Sequence, residues 1–530
     1  MSYDLNGWKY ISIYGSPEKR GYAYGYLCGE LFTQVKKMLN FFIYDTTGET
    51  WEYMIEEINK SIKLKTQLEF PEFYEEMEGI ANGYNSVMQD SGNDSRTTLD
   101  EIIAWNFYMS MSYWVSSINP TAQHRGAPKE GGGGASDKCS AFIAVGKDFT
   151  ESGKIVVAHN SFTDFIDGQY SNIILDLNPE KGNRFIMQTS PCWIWSGTDF
   201  FVNSKGIIGT ETTIGGFIAY ENNIPVGYRI RQAMQYGNTM DECVEFLLQG
   251  NSGDYANTWY FGDTKTNEIM RFELGLKYHN IERTKNGYYI GFNAAYDPRI
   301  RNIECVNSGF DDIRRHQGAR RVRLDDLIQE YKGKINIDVA KIIISDHYDV
   351  YLKKENPSSR TVCSHYELDA REYMSDPSRP KPYAPRGAVD GIVCDSETAN
   401  KMGFVGRFGS SCGMPFDASE FCNKNRQWKY LEPYLKDRPT QPWTEFLANT
   451  NTNTNTNTNK MVAGDKNGTR TRTRTRTRTR TRTRTRTRTR TRTRTRTRTR
   501  TRTRTRTRTI RRRKKNKTRS TKRGKKRPRL

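Results

Sequence analysis

The stretch Gly131-Gly-Gly-Gly134-Ala-Ser-Asp-Lys138-Cys139-Ser140-Ala-Phe-Ile-Ala-Val145 joins two kinds of chain. Four consecutive glycines, with Pro, Ser and Lys around them, read as an exposed loop over 120–138. The apolar run from Ser140 to Val145 reads as a buried strand. Cys139 therefore sits at a seam. If the Lys138–Cys139 bond were cut, the thiol would stand beside its own free α-amino group, with a strand to hold both. That is the layout of an N-terminal nucleophile. The alternative is a cysteine acting as a small hydrophobe at the start of a core strand.

Working outward, the pattern before the glycines is helical. Ser16-Pro17-Glu18 is a helix start, and Thr98-Leu-Asp-Glu101 is a capping box leading into Ile102, Ile103, Trp105 and Phe107. Strands dominate after them: Ile155–Ala158, Asn172–Leu177, Arg184–Thr189, Gly206–Thr213, Thr258–Phe261, Ile269–Leu274 and Tyr288–Phe292, the last behind the hairpin signal Asn286-Gly287. Two helices interrupt, one near Tyr228–Tyr236 and one opened by Thr239-Met-Asp-Glu242. The spacing predicts an α+β protein divided into a helical segment 1–119, the loop 120–138, a strand-rich region 139–440 and a tail 441–530.

The charge belongs to the tail. From Lys460 to Leu530 there are 35 Lys and Arg against one Asp, a net +34. The remaining 48 basic and 59 acidic residues leave the body at −11, which gives no reason to expect nucleic acid at its surface. The tail alternates Asn and Thr over 449–459 and then runs through twenty Thr-Arg pairs from Thr469 to Arg508. Such alternation offers no apolar face to bury, so 441–530 reads as disordered. Its 469–530 portion is expected to bind polyanions such as nucleic acid without sequence preference.

There is no basic segment followed by an apolar stretch at the N-terminus, and nowhere do about eighteen apolar residues run together. A cytoplasmic protein is expected, or one packaged in a nucleoprotein particle such as a virion. Nine cysteines without a Cys-x-x-Cys pair give no zinc pattern. Cys363-Ser364-His365 and Asp346-His347-Tyr348-Asp349 are the nearest approaches to ligand sets. The second follows the apolar run Ile342–Ile344 and reads as a helix end, and no metal or cofactor is expected.

Five motifs in order carry a resemblance. Cys139-Ser-Ala-Phe142, Val157-Ala-His159-Asn160-Ser-Phe162, Gly197-Thr-Asp-Phe200, Gly206-Ile-Ile-Gly-Thr-Glu-Thr212-Thr213 and Asn251-Ser-Gly-Asp-Tyr-Ala-Asn257 are similar to the phospholipase B-like proteins. They also resemble the penicillin-acyltransferase-like autoproteolytic hydrolases. The likeness continues through Arg229–Ala233 and Pro385–Ile392 and spans roughly 10–425. It implies the N-terminal-nucleophile hydrolase fold, four αββα layers, with self-cleavage between Lys138 and Cys139 and two fragments that stay associated.

The activity implied is hydrolysis of an acyl bond, foremost deacylation of glycerophospholipids, with a lipid or small-molecule acyl substrate. An amidase or acyltransferase acting on an N-acylated small molecule, and an idle body with a polyanion-binding tail, are the other readings. Cys139 would be nucleophile, its α-amino group the base, and Asn257 the oxyanion donor. His159 would polarise or orient substrate. Asn160, Thr212 and Arg229 are candidate substrate contacts, with Thr213 and Arg231 weaker. Relatives with Gly-Arg-Asn or Gly-Gln-Asn at 158–160 place an Asp two residues later. Here Phe162 stands there, closer to the phospholipase B-like version.

Overall fold

The computed structural model describes residues 1–111, 138–197, 199–371 and 381–449. The loop 120–137, Thr198 and the repeats beyond 449 lie outside them. The described residues fall within one compact unit, Met1–Thr454. It is a mixed α+β body built on two sheets.

The chain opens with β1 (Ser2–Leu5) and β2 (Trp8–Gly15), an antiparallel hairpin turned at Asn6-Gly7 with both residues at positive φ. After the N-terminal helices come β3 (Cys139–Val145), β4 (Val156–Asp164), β5 (Ile173–Pro179), β6 (Phe185–Thr189), β7 (Phe200–Asn203) and β8 (Ile207–Thr213). Then follow β9 (Asn257–Asp263), β10 (Glu268–Leu274), β11 (His279–Thr284) and β12 (Gly287–Gly291). A short ribbon, β13 (Tyr348–Asp349) with β14 (Lys354–Glu355), precedes β15 (Arg386–Ala388), β16 (Asp390–Asp395), β17 (Gly403–Phe408) and β18 (Thr444–Leu447).

One sheet runs β1-β2-β5-β6-β7-β8-β9-β10-β11, antiparallel except where β2 lies parallel to β5. The other runs β12-β3-β4-β16-β17-β18, with β15 also on β4. Period-two alternation sorts most of the apolar strand side chains into three large cores, with two smaller clusters beside them. Ala141, Ile143, Val145 and Val157 of the second sheet pack with Trp8, Tyr10, Ile174, Ile186 and Ile208 of the first. Phe142, Ala144, Val156 and Ala158 instead meet the helices His316–Glu330 and Ile337–Ile344. The far face of the first sheet, with Ile11, Leu175 and Phe261, is covered by Pro17–Thr47, Trp51–Glu69, Pro71–Asp90, Leu99–Asn106, Val226–Tyr236 and Met240–Leu248.

Thr98 and Thr239 do cap their helices, accepting from the backbone N–H of Glu101 and Glu242. Three expectations are corrected. The segment 1–119 is not wholly helical, because its first fifteen residues supply two strands. Asn286-Gly287 turns no hairpin: β11 ends in the first sheet and β12 pairs with β3 in the second, so these residues carry the chain between sheets. The ordered body also continues past 440. The alternating Thr444-Glu-Phe446-Leu strand β18 pairs with β17 and buries Phe446 against Trp8, so its first residues do have an apolar side to hide. Among the described residues no helix is long and apolar enough to cross a membrane.

Helices Pro17–Thr47 and Pro71–Asp90 touch through glycines. A methyl group on Gly25 would overlap the carbonyl of Ile80, and one on Gly83 the carbonyl of Tyr22. Backbone cannot swing aside as a side-chain end can. Gly25→Ala should therefore lower stability by about 1–3 kcal/mol, the range of core overpacking, despite the ~1 kcal/mol alanine gains in helix propensity. A urea midpoint at or above the wild-type value would show that these helices are not so closely set.

Candidate active site

Cys139 is the first residue of β3 and is fully buried. Its backbone N–H donates to Asn293 Oδ1 at 3.3 Å, and its thiol lies 3.7 Å from Asp199 Oδ2. Asn293 follows β12 in the left-handed region (φ 66°) and donates from Nδ2 to the carbonyl of Thr213, the last residue of β8. Arg320 of helix His316–Glu330 completes the node, donating to Asn293 Oδ1 at 2.9 Å and to the Cys139 carbonyl at 2.5 Å. The carbonyl of Lys138 accepts the backbone N–H of Phe162. The ends of β3, β4, β8 and β12 thus converge on one bond, Lys138–Cys139.

The register Cys139↔Ser161 and Ala141↔His159 brings His159 onto the same face as Cys139. Ring nitrogen, sulfur and an Asp199 oxygen all lie within 4.8 Å of one another. Both ring nitrogens of His159 are buried without a hydrogen-bond partner. Burial pushes this imidazole down to about 3, so it is neutral at working pH.

Burial also pushes the Cys139 thiol well above its ordinary value, and the nearby Glu211 and Asp199 push it further. Asp199 is raised to about 6 by burial, although the Tyr255 hydroxyl donates to it at 3.0 Å. Glu211 is raised too, by burial and then by Asp199. Asp199 raises Glu211, whereas the hydrogen bond from Glu211 lowers Asp199, so the proton the pair holds lies on Glu211. Lys138 is held below the ordinary ammonium value by burial, which outweighs the pull of Asp167 and Asp199. With its amino group in a peptide bond to Lys138, the resting thiol is therefore held in its neutral form, so any attack by it needs a neighbouring group to take its proton.

Beside this cluster opens a small pocket with a cavity volume of about 40 Å³, lined by Trp105, Tyr108, Met109 and Trp193 together with Lys138, Asp199 and Tyr255. Its lining mixes aromatic rings and a methionine with polar groups, Asp167 and Ser190 among them, so it can meet both an apolar and a polar part of a ligand.

The other residues singled out from sequence are distributed unevenly. Asn257 begins β9 opposite Thr213, and neither atom of its buried side-chain amide has a hydrogen-bond partner. Asn160 faces away from Cys139. Its Oδ1 accepts the Ser140 N–H, and its Nδ2 donates to Ile344 O, Val362 O and Ser411 Oγ, at 3.1–3.3 Å. Thr212 pairs with the Tyr260 hydroxyl at 3.4 Å. Arg229 is buried and spent on Asp254, Ile224 O and Leu247 O. Arg231 ties helix Val226–Tyr236 to Glu76, which Arg20 also binds.

Sequence reasoning passed over Asp199, Glu211, Tyr255, Asn293, Arg320 and Asp390. Asp199, Glu211, Tyr255 and Asp390 lie within the motifs that carried the resemblance, and buried acids in strand-like runs were the available signal. Asn293 and Arg320 carry none, since only the fold brings them near Cys139.

Residues 22–274 match the family model described as Phospholipase B. The likeness read from the five motifs is thereby shown over that span: the chain carries the phospholipase B family pattern there, which supports a hydrolase. No curated protein matches the chain. Among solved structures, a mutant conjugated bile acid hydrolase from Clostridium perfringens aligns at 8% identity with a TM-score of 0.29, over 51% of this chain and 89% of that one. A likeness that weak carries no argument about function.

Asp390 yields a test. Burial raises it to about 7, while it accepts the Ser161 N–H and Gln188 Nε2, each at 2.8 Å. The folded protein thus holds a proton that the unfolded chain releases near pH 4, and stability falls as pH rises from about 4 to about 7. The slope from one such carboxyl is at most about 1.4 kcal/mol per pH unit. Asp390→Asn can keep both contacts, because Gln188 Oε1 is unpartnered and can accept after a flip. Denaturant titrations from pH 5 to 8 should show a flatter profile in the variant. An unchanged slope would contradict the assignment.

Proposed function

We propose that the protein is a cysteine N-terminal-nucleophile hydrolase that cuts its own chain before Cys139 and then deacylates glycerophospholipids. The observation that carries this reading is the convergence on Cys139 of a thiol, a scissile peptide carbonyl already hydrogen-bonded by Phe162 N–H, and titratable neighbours. The three apolar cores support a four-layer αββα arrangement.

In the first reaction the thiol gives its proton to Asp199, which is largely ionised above its pKa of about 6. The sulfur attacks the Lys138 carbonyl carbon, and the Phe162 N–H bears the charge that develops on the oxygen. The C–N bond breaks, the amine of Cys139 takes the proton, and water hydrolyses the resulting thioester. A new α-amino group is then left at the position where Asn293 Oδ1 accepts. Its ordinary pKa of about 7.7–8.0 suits it as the general base for its own thiol.

In turnover the thiolate attacks the ester carbonyl, the glycerol oxygen leaves with the proton, and water releases the fatty acid. The unpartnered Nδ2 of Asn257 fits the oxyanion donor, since leaving that buried donor unsatisfied costs about 1–3 kcal/mol that a bound oxyanion would recover. The neutral His159 is suited to orienting the ester. Trp105, Met109 and Trp193 in the pocket would contact the first carbons of the acyl chain. The N-terminal helices and β1–β2 are packed into the first sheet's cores, which would keep the two fragments together after cleavage.

Purified wild-type protein should separate on a denaturing gel into fragments of 138 and 392 residues, whereas Cys139→Ala stays whole and inactive. Asn257→Ala should still be cleaved and folded, with phospholipid deacylation reduced about 100-fold. An uncut but active wild type, or full turnover in Asn257→Ala, would defeat the proposal.

The basic tail is proposed to act separately as a non-specific polyanion tether. Because β18 belongs to the body, the cut that isolates the tail is at Thr454 rather than near Pro442. A chain ending at Thr454 should keep its fold and hydrolysis but lose retention on heparin or unrelated DNA. Full-length protein should bind both and be eluted by salt. Sequence-selective binding, or tight binding by the shortened chain, would contradict this.

A further inference from the structure

Behind the nucleophile strand, three loops meet at four side chains that sequence spacing did not connect. His347 follows helix Ile337–Ile344, Cys363 and His365 lie in the loop after β14, and Cys412 in the loop after β17. Their donor atoms all lie within 4.8 Å of one another. Around His365 Nε2 stand His347 Nε2 at 3.1 Å, Cys363 Sγ at 3.3 Å and Cys412 Sγ at 3.5 Å.

These spacings have a simple geometric meaning. With Zn–N of about 2.0–2.1 Å and Zn–S of about 2.3 Å, a tetrahedron separates two nitrogens by about 3.3 Å and a nitrogen from a sulfur by about 3.6 Å. The three separations fall close to those edges. Glu367 Oε1 contacts His365 Nδ1 at 2.7 Å, so the histidine's other nitrogen is directed into the cluster, as a carboxylate behind a ligating imidazole does. The N–H of Met414 donates to Cys412 Sγ at 3.3 Å, suited to a thiolate, and Gly413 at φ 82° makes the turn that aims it there. Cys363 and His365 are buried, at 0% and 1% exposure, so water does not satisfy them.

We propose that His347, Cys363, His365 and Cys412 bind one Zn²⁺ in a closed, structural Cys₂His₂ site. The ion would stand where the chain segments around Ile344, Val362 and Ser411 come together. Those are the segments to which Asn160 donates, while its Oδ1 accepts the N–H of Ser140, the neighbour of Cys139. The site would thus brace the back of the nucleophile strand, in a place no reaction step requires.

The test is elemental analysis of full-length protein purified without chelator, followed by Co²⁺ exchange. One zinc per chain is expected, and the cobalt form should show thiolate-to-cobalt charge transfer with the intense visible bands of a tetrahedral ion. Cys412→Ser and His365→Ala should lose the metal, and Glu367→Gln should bind it about 10–100-fold more weakly. Cys139→Ala and His159→Ala should retain it, which separates this site from the Cys139–His159–Asp199 group. Should the ligand variants fail to fold, chelation of wild type must lower the melting temperature and added zinc restore it. A metal-free native protein, a Cys363–Cys412 disulfide in the peptide map, or metal that survives Cys412→Ser or vanishes in Cys139→Ala would overturn the proposal.

Discussion

The register that sets Cys139 opposite Ser161 decides what each face of the second sheet can do. With period two, one face receives Cys139, Ala141 and His159, and the other receives Ser140 and Asn160. The first face meets the other sheet, where Asp199 and Glu211 are buried. The second meets helices and loops, where Asn160 has four partners. A slip of one residue would exchange the two, placing the thiol among helix side chains and an amide among carboxyls. The register is held from both sides, by the apolar cores and by the Asn160 hydrogen bonds, so the slip is costly.

The candidate site is assembled from groups that burial has made neutral. The thiol, His159 and Glu211 are all shifted towards their uncharged forms by loss of water. Such a cluster is stable in the uncut chain because little charge is buried. It lacks a free basic nitrogen beside the sulfur, and cleavage would supply one. Position and chemistry are thus divided: the fold provides the first, and breaking one peptide bond would provide the second.

Much of this was legible in the chain. The apolar run 141–145 announces a strand buried on both faces, and Thr98 and Thr239 announce helix starts through their capping boxes. The same kind of signal misled at Asn286-Gly287 and was overlooked at Asn6-Gly7. Asn-Gly specifies a tight local turn, but which strands the flanking residues join depends on partners far away in sequence. Asn160 illustrates the limit from another side. Its place next to His159 suggests a shared site, yet neighbours on a strand point to opposite faces. His347 read as part of a helix end, Cys363 and His365 as an isolated pair, and Cys412 carried no signal, since no local motif links residues 65 positions apart; only the packing of three loops does. Asn293 and Arg320 were unreadable for the same reason.

The most direct measurement is intact-mass and peptide mass spectrometry of the enzyme quenched in acid during turnover of a glycerophospholipid. The account predicts a fatty-acyl adduct on the fragment that begins at Cys139, localised to that residue and removed by hydroxylamine as a thioester. An acyl group on any other residue, or steady turnover with Cys139 never acylated and its amino group still joined to Lys138, would contradict it.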